Sequence, residues 1–273
     1  MRMHTTGTAE EWLAARPERD LPLRAVSALL FALGTAATIL SGRSMAAMGG
    51  MRMAGGWTMA MTWMRMPGQT WLGAAASFLG MWSVMMVPMM LPSLVPALGR
   101  YRRAVGLADA RLAGLTATVG AAYFSVWTAF GAVIFSAGVL LANVAMQHRL
   151  LSRSVPIAVG VVVVAAGALQ LTRWKARRLA CCRHAPAFGR FHPASFATAW
   201  RHGLRLGLDC CVCCAGPTAI LLVLGAMDLR VMALVTAAIS GERLARDGAQ
   251  VAKATGAIAI AAGLVLIARA LGA

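Results

Sequence analysis

The chain has 273 residues, of which 59% are hydrophobic and only 13% are charged, and its formal net charge is +17. Soluble domains contain about a quarter charged residues, so this composition excludes an ordinary soluble enzyme or binding domain. The positive charge does not indicate nucleic-acid binding, because no basic stripe is interleaved with aromatic side chains. The basic residues lie in short clusters between long apolar runs, which is typical of an all-α polytopic transmembrane bundle.

Seven apolar segments are predicted to cross a membrane as helices. About 20 residues, at ~1.5 Å rise each, are needed to cross a hydrocarbon core of about 30 Å. The predicted segments are 26–40, 71–91, 115–145, 155–171, 203–227, 231–239 and 256–271. Segment 231–239 is short, but its charged flanks can snorkel to the interface. We expect a cytoplasmic segment, residues 1–24, followed by one transmembrane domain, residues 25–273.

Lys and Arg are divided unequally between alternate connections, with 18 on the side of the N-terminus and seven on the other. Because cytoplasmic flanks retain positive charge, the N-terminus is predicted in the cytoplasm and the C-terminus outside. The expected location is the cell inner membrane or plasma membrane, with the lipid bilayer as a partner. Ser44 and Ala46 also fit a signal-peptide cleavage site, but the adjacent Arg43 favours an uncleaved anchor.

Methionine is concentrated in the predicted extracytoplasmic loop 43–70 and in the second span. The loop contains eight methionines, namely Met45, Met48, Met51, Met53, Met59, Met61, Met64 and Met66. Their thioethers form no disulfides and are ligands for Cu(I). The alternative is that flexible Met side chains only fill apolar space at a membrane interface.

The second span contains candidate ligands around Pro88. Met81, Met85 and Met89 repeat every four residues on one helical stripe, and Met86 and Met90 lie on the adjacent stripe. Such a stripe usually serves packing. Pro88 removes a backbone hydrogen bond inside the membrane, which favours a local opening between the methionine pairs. The candidate ligands are therefore Met85, Met86, Met89 and Met90.

All six cysteines lie between positions 181 and 214, in two groups. Cys181 and Cys182 fall in a predicted basic cytoplasmic loop, residues 173–202, and the other four fall in the fifth span. Thiolates are metal ligands, and on a helix Cys210, Cys213 and Cys214 share a face. The alternative is that buried thiols act as small apolar side chains. We predict a metal site built on Cys210, Cys213 and Cys214, with Cys181, Cys182 and Cys211 as further candidates.

Two acidic residues, Asp209 and Glu242, are candidate ligands near the same membrane face. An ionised acid inside a bilayer needs a partner, because it costs roughly 2.5 to 3.5 kcal/mol on insertion scales. The alternative partners are Arg205 for Asp209 and Arg246 for Glu242, each four residues away.

A series of short motifs resembles a known family. In chain order they are Met81-Trp82-x-Val84-Met85, Pro88-Met89-Met90-x-Pro92-Ser93, Tyr123, Trp127, Gln170-x-Thr172-x-x-Lys175, Cys182-Arg183, Gly203, Cys210-x-x-Cys213-Cys214, Gly225-x-Met227 and Glu242-Arg243. They resemble the DUF2182 family of predicted metal-binding integral membrane proteins, some of which are described as copper chaperones. The resemblance spans roughly residues 71–263 and implies copper binding.

The residues and the resemblance together predict a non-enzymatic membrane protein that handles Cu(I). It would bind, deliver or transport the ion, with a metallochaperone or a copper enzyme as partner. Zn²⁺ is the alternative ion, but it more often recruits imidazole, and the chain has five His. The second hypothesis is a membrane thiol-disulfide oxidoreductase that uses C-x-x-C, although its cysteines would be expected near the oxidising face. A structural subunit without metal is the third.

Overall fold

The computed structural model describes residues 16–54, 56–60, 63–65, 68–106, 110–183, 195–226 and 228–272. These residues form eight helices and a two-stranded sheet, and the predicted all-α class is confirmed. The elements are α1 Arg16–Met48, β1 Gly50–Arg52, β2 Thr58–Ala60, α2 Trp71–Val105, α3 Ala110–Gln147, α4 Arg149–Gln170, α5 Arg173–Arg183, α6 Phe196–Gly225, α7 Leu229–Leu244 and α8 Gly248–Gly272.

Six of these helices, α1, α2, α3, α4, α6 and α8, are long and apolar enough to cross a membrane. They coincide with six of the seven predicted spans. The seventh predicted span, 231–239, lies in α7, which has 16 residues. At 1.5 Å per residue α7 is about 24 Å long, less than a hydrocarbon core of about 30 Å.

The predicted loop 173–202 begins with a helix that the hydropathy pattern did not indicate. This helix, α5, has 11 residues, of which eight are Arg, Lys, Ala or Leu, which are strong helix formers. A polar sequence gives no membrane signal, so α5 was missed. It packs against α6 and brings Cys182 close to the cysteines of that helix.

Small residues let the helices approach closely. A Cβ atom added to Gly203 of α6 would lie 2.4 Å from the carbonyl oxygen of Val119 in α3. In the same way, a Cβ atom on Gly167 of α4 would lie 2.7 Å from the carbonyl oxygen of Gly256 in α8. Such contacts set the depth of each helix crossing and therefore which side chains meet across it.

The core lies between α2, α3, α6 and α7 and is built around two tryptophans. Trp82 and Trp127 are buried, and the indole N–H of Trp82 donates to the carbonyl oxygen of Trp127 at 2.9 Å. This bond fixes α2 against α3. About two turns beyond Trp82 in α2, Met90 lies next to Cys210 of α6.

The turn between α6 and α7 returns the chain along the same side of the bundle. Gly225 has φ +124°, a conformation that side chains disfavour, and the carboxylate of Asp228 caps α7 by accepting from the N–H groups of Arg230 and Val231. Because the two helices are joined so tightly, the end of α7 lies beside the cysteines of α6. The hairpin thereby places Glu242 and Arg243 of α7 close to the cysteine segment of α6.

Candidate metal centre

Three sulfur atoms meet in the core where α2 packs against α6. The Sγ atom of Cys210 lies 3.9 Å from the Sδ atom of Met90 and 3.9 Å from the Sγ atom of Cys214. All three side chains are at most 2% exposed. Cys210 and Cys214 are four residues apart and share one helical face. We call Cys210, Cys214 and Met90 the sulfur triad, which offers two thiols and one thioether in a buried space.

Two polar side chains contact the sulfur triad. The hydroxyl group of Tyr123 donates to the Sγ atom of Cys210 at 2.9 Å, and the Nη2 atom of Arg243 donates to the Sγ atom of Cys214 at 3.6 Å. The Nε atom of Arg243 is buried, and no group among the residues that the structure describes accepts a hydrogen bond from it. A fixed positive charge therefore lies where two thiolates would carry negative charge.

A second pair of thiols lies beside the sulfur triad. Cys213 is buried and packs with Cys182, Leu179 and Ala252, and the Cys182 thiol donates to the carbonyl oxygen of Asp209 at 3.3 Å. Cys213 directly precedes Cys214 of the sulfur triad in α6. Contact with Cys213, together with burial, raises the pKa of the Cys182 thiol above its usual range. Cys213 thus connects the half-buried Cys182 with the sulfur triad.

A small cavity reaches the polar side of this region. It is lined by Ser93, Leu94, Ala97, Tyr123, Cys182, Leu206, Asp209 and Arg243. The hydroxyl group of Ser93 is buried, and it has no hydrogen-bond partner among the described residues. The cavity joins the half-buried Cys182 and Asp209 to Tyr123 and Arg243, the two polar neighbours of the sulfur triad.

Glu242, a predicted ligand, lies in a buried ion pair. Its Oε2 atom is 2.7 Å from the Nζ atom of Lys175, and its Oε1 atom accepts from Gln170 and Thr255. Lys175 also donates to the carbonyl oxygen of Cys213 at 2.7 Å. The carboxylate is engaged by three side chains, so the pair holds α4, α5, α7 and α8 around the cysteine segment of α6.

The other candidate ligands lie at different distances from the sulfur triad. Met86 and Met89 are buried in the core, and Met85 lines a small cavity with Met81 and Met232. Cys211 is half-buried and packs on the edge of the same core. The side chain of Cys181 lies outside the described residues.

Within the part of the chain that the structure describes, no three His, Cys, Asp or Glu side chains converge as a metal site. The sulfur triad becomes a set of three candidate ligands only when the thioether of Met90 is counted with the two thiols. Sequence reasoning gave no role to Tyr123 or Arg243, although both occur in the motifs. The polar groups of Tyr123 and Arg243 could have indicated such a role, because a hydroxyl or guanidinium group inside an apolar helix needs a partner.

Comparison with known proteins gives a family. The sequence model of the PpoB2 family, which is described as a copper chaperone family, matches residues 79–266. This range is more than half of the chain. The matched range contains the sulfur triad, Tyr123, Arg243 and the Lys175–Glu242 pair. It leaves out α1 and the sheet. No curated protein and no solved structure matches the chain.

Proposed function

The chain belongs to the PpoB2 family of copper chaperones, and from this premise we propose that it binds Cu(I) through the thiolates of Cys210 and Cys214 and the thioether of Met90. Thiolate and thioether ligands favour Cu(I) over harder cations. The two distances of 3.9 Å from the buried Cys210 sulfur to the sulfurs of Met90 and Cys214 carry this proposal. The narrower assignment to the DUF2182 family is part of the same proposal.

The charge of the site also favours a monovalent ion. Two thiolates and one Cu(I) carry a net charge of −1, which the adjacent Arg243 neutralises. Zn²⁺ with the same two thiolates would form a neutral complex and would leave the positive charge of Arg243 uncompensated. Because net charge is costly in a buried apolar site, the arrangement favours Cu(I) over Zn²⁺.

Cys182 and Cys213 supply a route for the cargo. Cu(I) can pass between thiols by ligand exchange, because an incoming sulfur binds before the outgoing one leaves. We assign Cys182, which is half-buried beside the cavity, as the first thiol that meets a partner, and Cys213 as the link to Cys214. The partner would be a metallochaperone or copper enzyme that offers a thiol of its own.

The proposed setting is the cell inner membrane or plasma membrane, with the N-terminus in the cytoplasm. The six long apolar helices support insertion, and the excess of Lys and Arg on one side supports the orientation. In this orientation the sulfur triad and Cys182 lie toward the cytoplasm, where thiols stay reduced. Reduced thiols are the form that binds Cu(I).

A thiol-disulfide oxidoreductase is the second candidate. The proximity of Cys210 and Cys214 favours it, because these two thiols could approach each other to form a disulfide. In an oxidoreductase the thioether of Met90 would take no part in the reaction, because a thioether cannot form a disulfide. The carrier proposal uses all three sulfurs.

Metal binding by the purified chain tests the proposal. The protein is prepared in detergent under reducing conditions, and Cu(I) and Zn²⁺ affinities are measured by competition with chromophoric chelators. Replacing Cys210 and Cys214 by Ser should remove one tight Cu(I) equivalent and leave insertion intact, because Ser is tolerated in packed membrane helices. Cys211→Ser is the matched control and should bind as the parent does. A double variant that binds as much Cu(I) as the parent would place the site elsewhere.

A further inference from the structure

The described parts of the methionine-rich segment between α1 and α2, residues 49–54, 56–60, 63–65 and 68–70, are docked on the bundle. Its strands pair antiparallel, with Met51 opposite Met59. The indole N–H of Trp57 donates to the carbonyl oxygen of Ser152 at 2.9 Å, and the hydroxyl group of Ser152 donates to the carbonyl oxygen of Ala54 at 3.0 Å. These bonds tie the hairpin to the first turn of α4. The segment therefore has a defined position at this end of the bundle.

Three methionines and two tryptophans of this segment pack together on α3. Met59 is 3% exposed, and the half-buried Met53, Met64, Trp57 and Trp63 surround it on a shelf of Ala142 and Ala145. A Cβ atom on Gly138 would lie 2.3 Å from the Trp63 ring, so the helix accepts that ring only with glycine there. We call Met53, Met59 and Met64 the outer methionine cluster.

The composition of the segment is unusual for a packing cap. Residues 43–70 contain eight methionines but no Leu, Ile, Val or Phe. An apolar cap that served packing alone would ordinarily use Leu, Ile, Val or Phe, whose rotamers are better defined, and would use Met only to fill gaps. Met45, Met48, Met61 and Met66 have side chains outside the described residues. The exclusive use of thioethers for large aliphatic groups points to a chemical role for sulfur.

The ligands on offer determine which ions could bind. Residues 43–70 also contain no Cys, His, Asp or Glu, so thioethers are the only soft side-chain donors there. Thioethers bind soft monovalent ions such as Cu(I) and Ag(I), and they form no disulfides under oxidising conditions. The faces of Trp57 and Trp63 add attraction for a cation. Zn²⁺ would find none of its usual ligands.

We propose that Met53, Met59 and Met64 form a second metal site, selective for soft monovalent ions and separate from the sulfur triad. Met59 closes the inner side of this site, and the half-buried Met53 and Met64 leave it open to incoming metal. It lies outside the residues that match the family model, so it is a property of this chain beyond the shared function.

The two sites lie far apart along α3. Ala142 contacts the outer methionine cluster, and Tyr123, nineteen positions earlier, contacts Cys210. Nineteen residues of α-helix span about 28 Å, close to the thickness of a hydrocarbon core of about 30 Å. The outer methionine cluster therefore captures Cu(I) at the membrane face opposite the sulfur triad.

Ag(I) binding to a cysteine-free chain tests this site without the sulfur triad. With all six cysteines replaced by Ser, the full-length protein in detergent should still bind Ag(I), with a change in tryptophan fluorescence. Replacing Met53, Met59 and Met64 by Leu, a volume-conserving change, should remove that equivalent. Met51→Leu is the matched control, because Met51 is 40% exposed on the same ladder, and it should bind as before.

Two outcomes would overturn the site: a cysteine-free chain that binds no Ag(I), or a Leu variant that binds as tightly as its parent. Single changes at Met53 and Met59 keep the test valid if the triple variant fails to fold, since each should weaken Ag(I) binding at least severalfold. Failure of the sulfur triad is distinguishable, because it would appear in the cysteine variants and leave Ag(I) binding by the outer methionine cluster unchanged.

Discussion

The hydroxyl group of Tyr123 donates a hydrogen bond of 2.9 Å to the sulfur of Cys210, across the interface between α3 and α6. Tyr123 is 2% exposed, so this contact lies inside the core. A donor to a thiolate ligand stabilises its negative charge and fixes the direction of its lone pairs. Tyr123 thus positions one ligand of the proposed Cu(I) site.

Removal of that hydroxyl group should weaken Cu(I) binding while the fold persists. For Tyr123→Phe we expect a roughly 10- to 100-fold lower Cu(I) affinity, the usual worth of a hydrogen bond to a charged group. The measurement is competition with a chromophoric Cu(I) chelator. Tyr101→Phe is the control, since Tyr101 is the only other tyrosine and stacks on His202. Equal Cu(I) affinities of Tyr123→Phe and Tyr101→Phe would show that Tyr123 does not position a Cu(I) ligand.

Arg243 should set the preference between monovalent and divalent ions. Arg243→Met removes the positive charge beside Cys214, so a buried bis-thiolate Cu(I) complex would keep a net charge of −1. We expect Cu(I) affinity to fall at least about tenfold, because an uncompensated buried charge is strongly destabilising. Zn²⁺ or Cd²⁺ would instead form a neutral complex, and its affinity should fall less or rise.

The ratio of Cu(I) to Cd²⁺ affinity is the informative quantity for Arg243. Arg243→Lys retains the charge and should keep that ratio within a few-fold of the parent, although its single ammonium group replaces a planar fork. A methionine variant with the ratio of the parent would show that charge does not govern metal choice.

The helices could be predicted from sequence, and so could the shared face of Cys210 and Cys214, because both depend on local spacing. Cys213, which was expected on the same face, packs with Leu179 and Ala252. An apolar run of sufficient length forms a span whatever its neighbours are, and two cysteines four residues apart share a face on any helix. Length also explains the one departure among the spans, since 231–239 is enclosed by charges that limit α7 to 16 residues.

The partners across helix interfaces could not be predicted, because they depend on how deeply and at what rotation two helices cross. The Gly203–Val119 contact sets α6 against α3, and only that rotation brings Tyr123 to Cys210. Four methionines near Pro88 were equivalent candidates in sequence, and the packing puts Met90 next to Cys210. Glu242 likewise had a local candidate, Arg246, whereas its ion pair is with Lys175 of α5, a helix that was not expected.

The Lys175–Glu242 pair should be essential for stability. Lys175→Met leaves a buried carboxylate without its cation, which typically costs about 3 to 5 kcal/mol of unfolding free energy. Adding Glu242→Gln removes the unpaired charge and should recover a large part of that loss. Thermal unfolding of the detergent-purified variants measures both effects. A double variant less stable than Lys175→Met would mean that Glu242 acts through other contacts, such as those with Gln170 and Thr255.

The orientation of the chain is open to direct measurement. Reporter fusions after Arg65 and after Arg149 should report the extracytoplasmic side, and fusions after Arg103 and after Arg190 the cytoplasmic side. The reason is the division of Lys and Arg, 18 against seven, between alternate connections. A cytoplasmic signal after Arg65 would reverse the assignment and put the outer methionine cluster inside the cell.

The oxidation state of the cysteines in living cells should separate a Cu(I) carrier from a thiol oxidoreductase. A carrier needs Cys210 and Cys214 as free thiols throughout its cycle, and a reducing cytoplasm near the site would maintain them. An oxidoreductase passes through a disulfide, which would join Cys210 to Cys214, their sulfurs now 3.9 Å apart, or to Cys213.

Rapid acid quenching of cells, followed by alkylation and mass spectrometry, counts free thiols and disulfides at these positions. We expect Cys210, Cys213 and Cys214 to be recovered as thiols, and we expect copper supplied before the quench to lower their reactivity toward a permeant alkylating reagent, because bound Cu(I) occupies the sulfur lone pairs. Cys211→Ser should leave this protection unchanged. A substantial Cys210–Cys214 or Cys210–Cys213 disulfide whose amount does not respond to copper would instead support electron transfer and contradict the carrier.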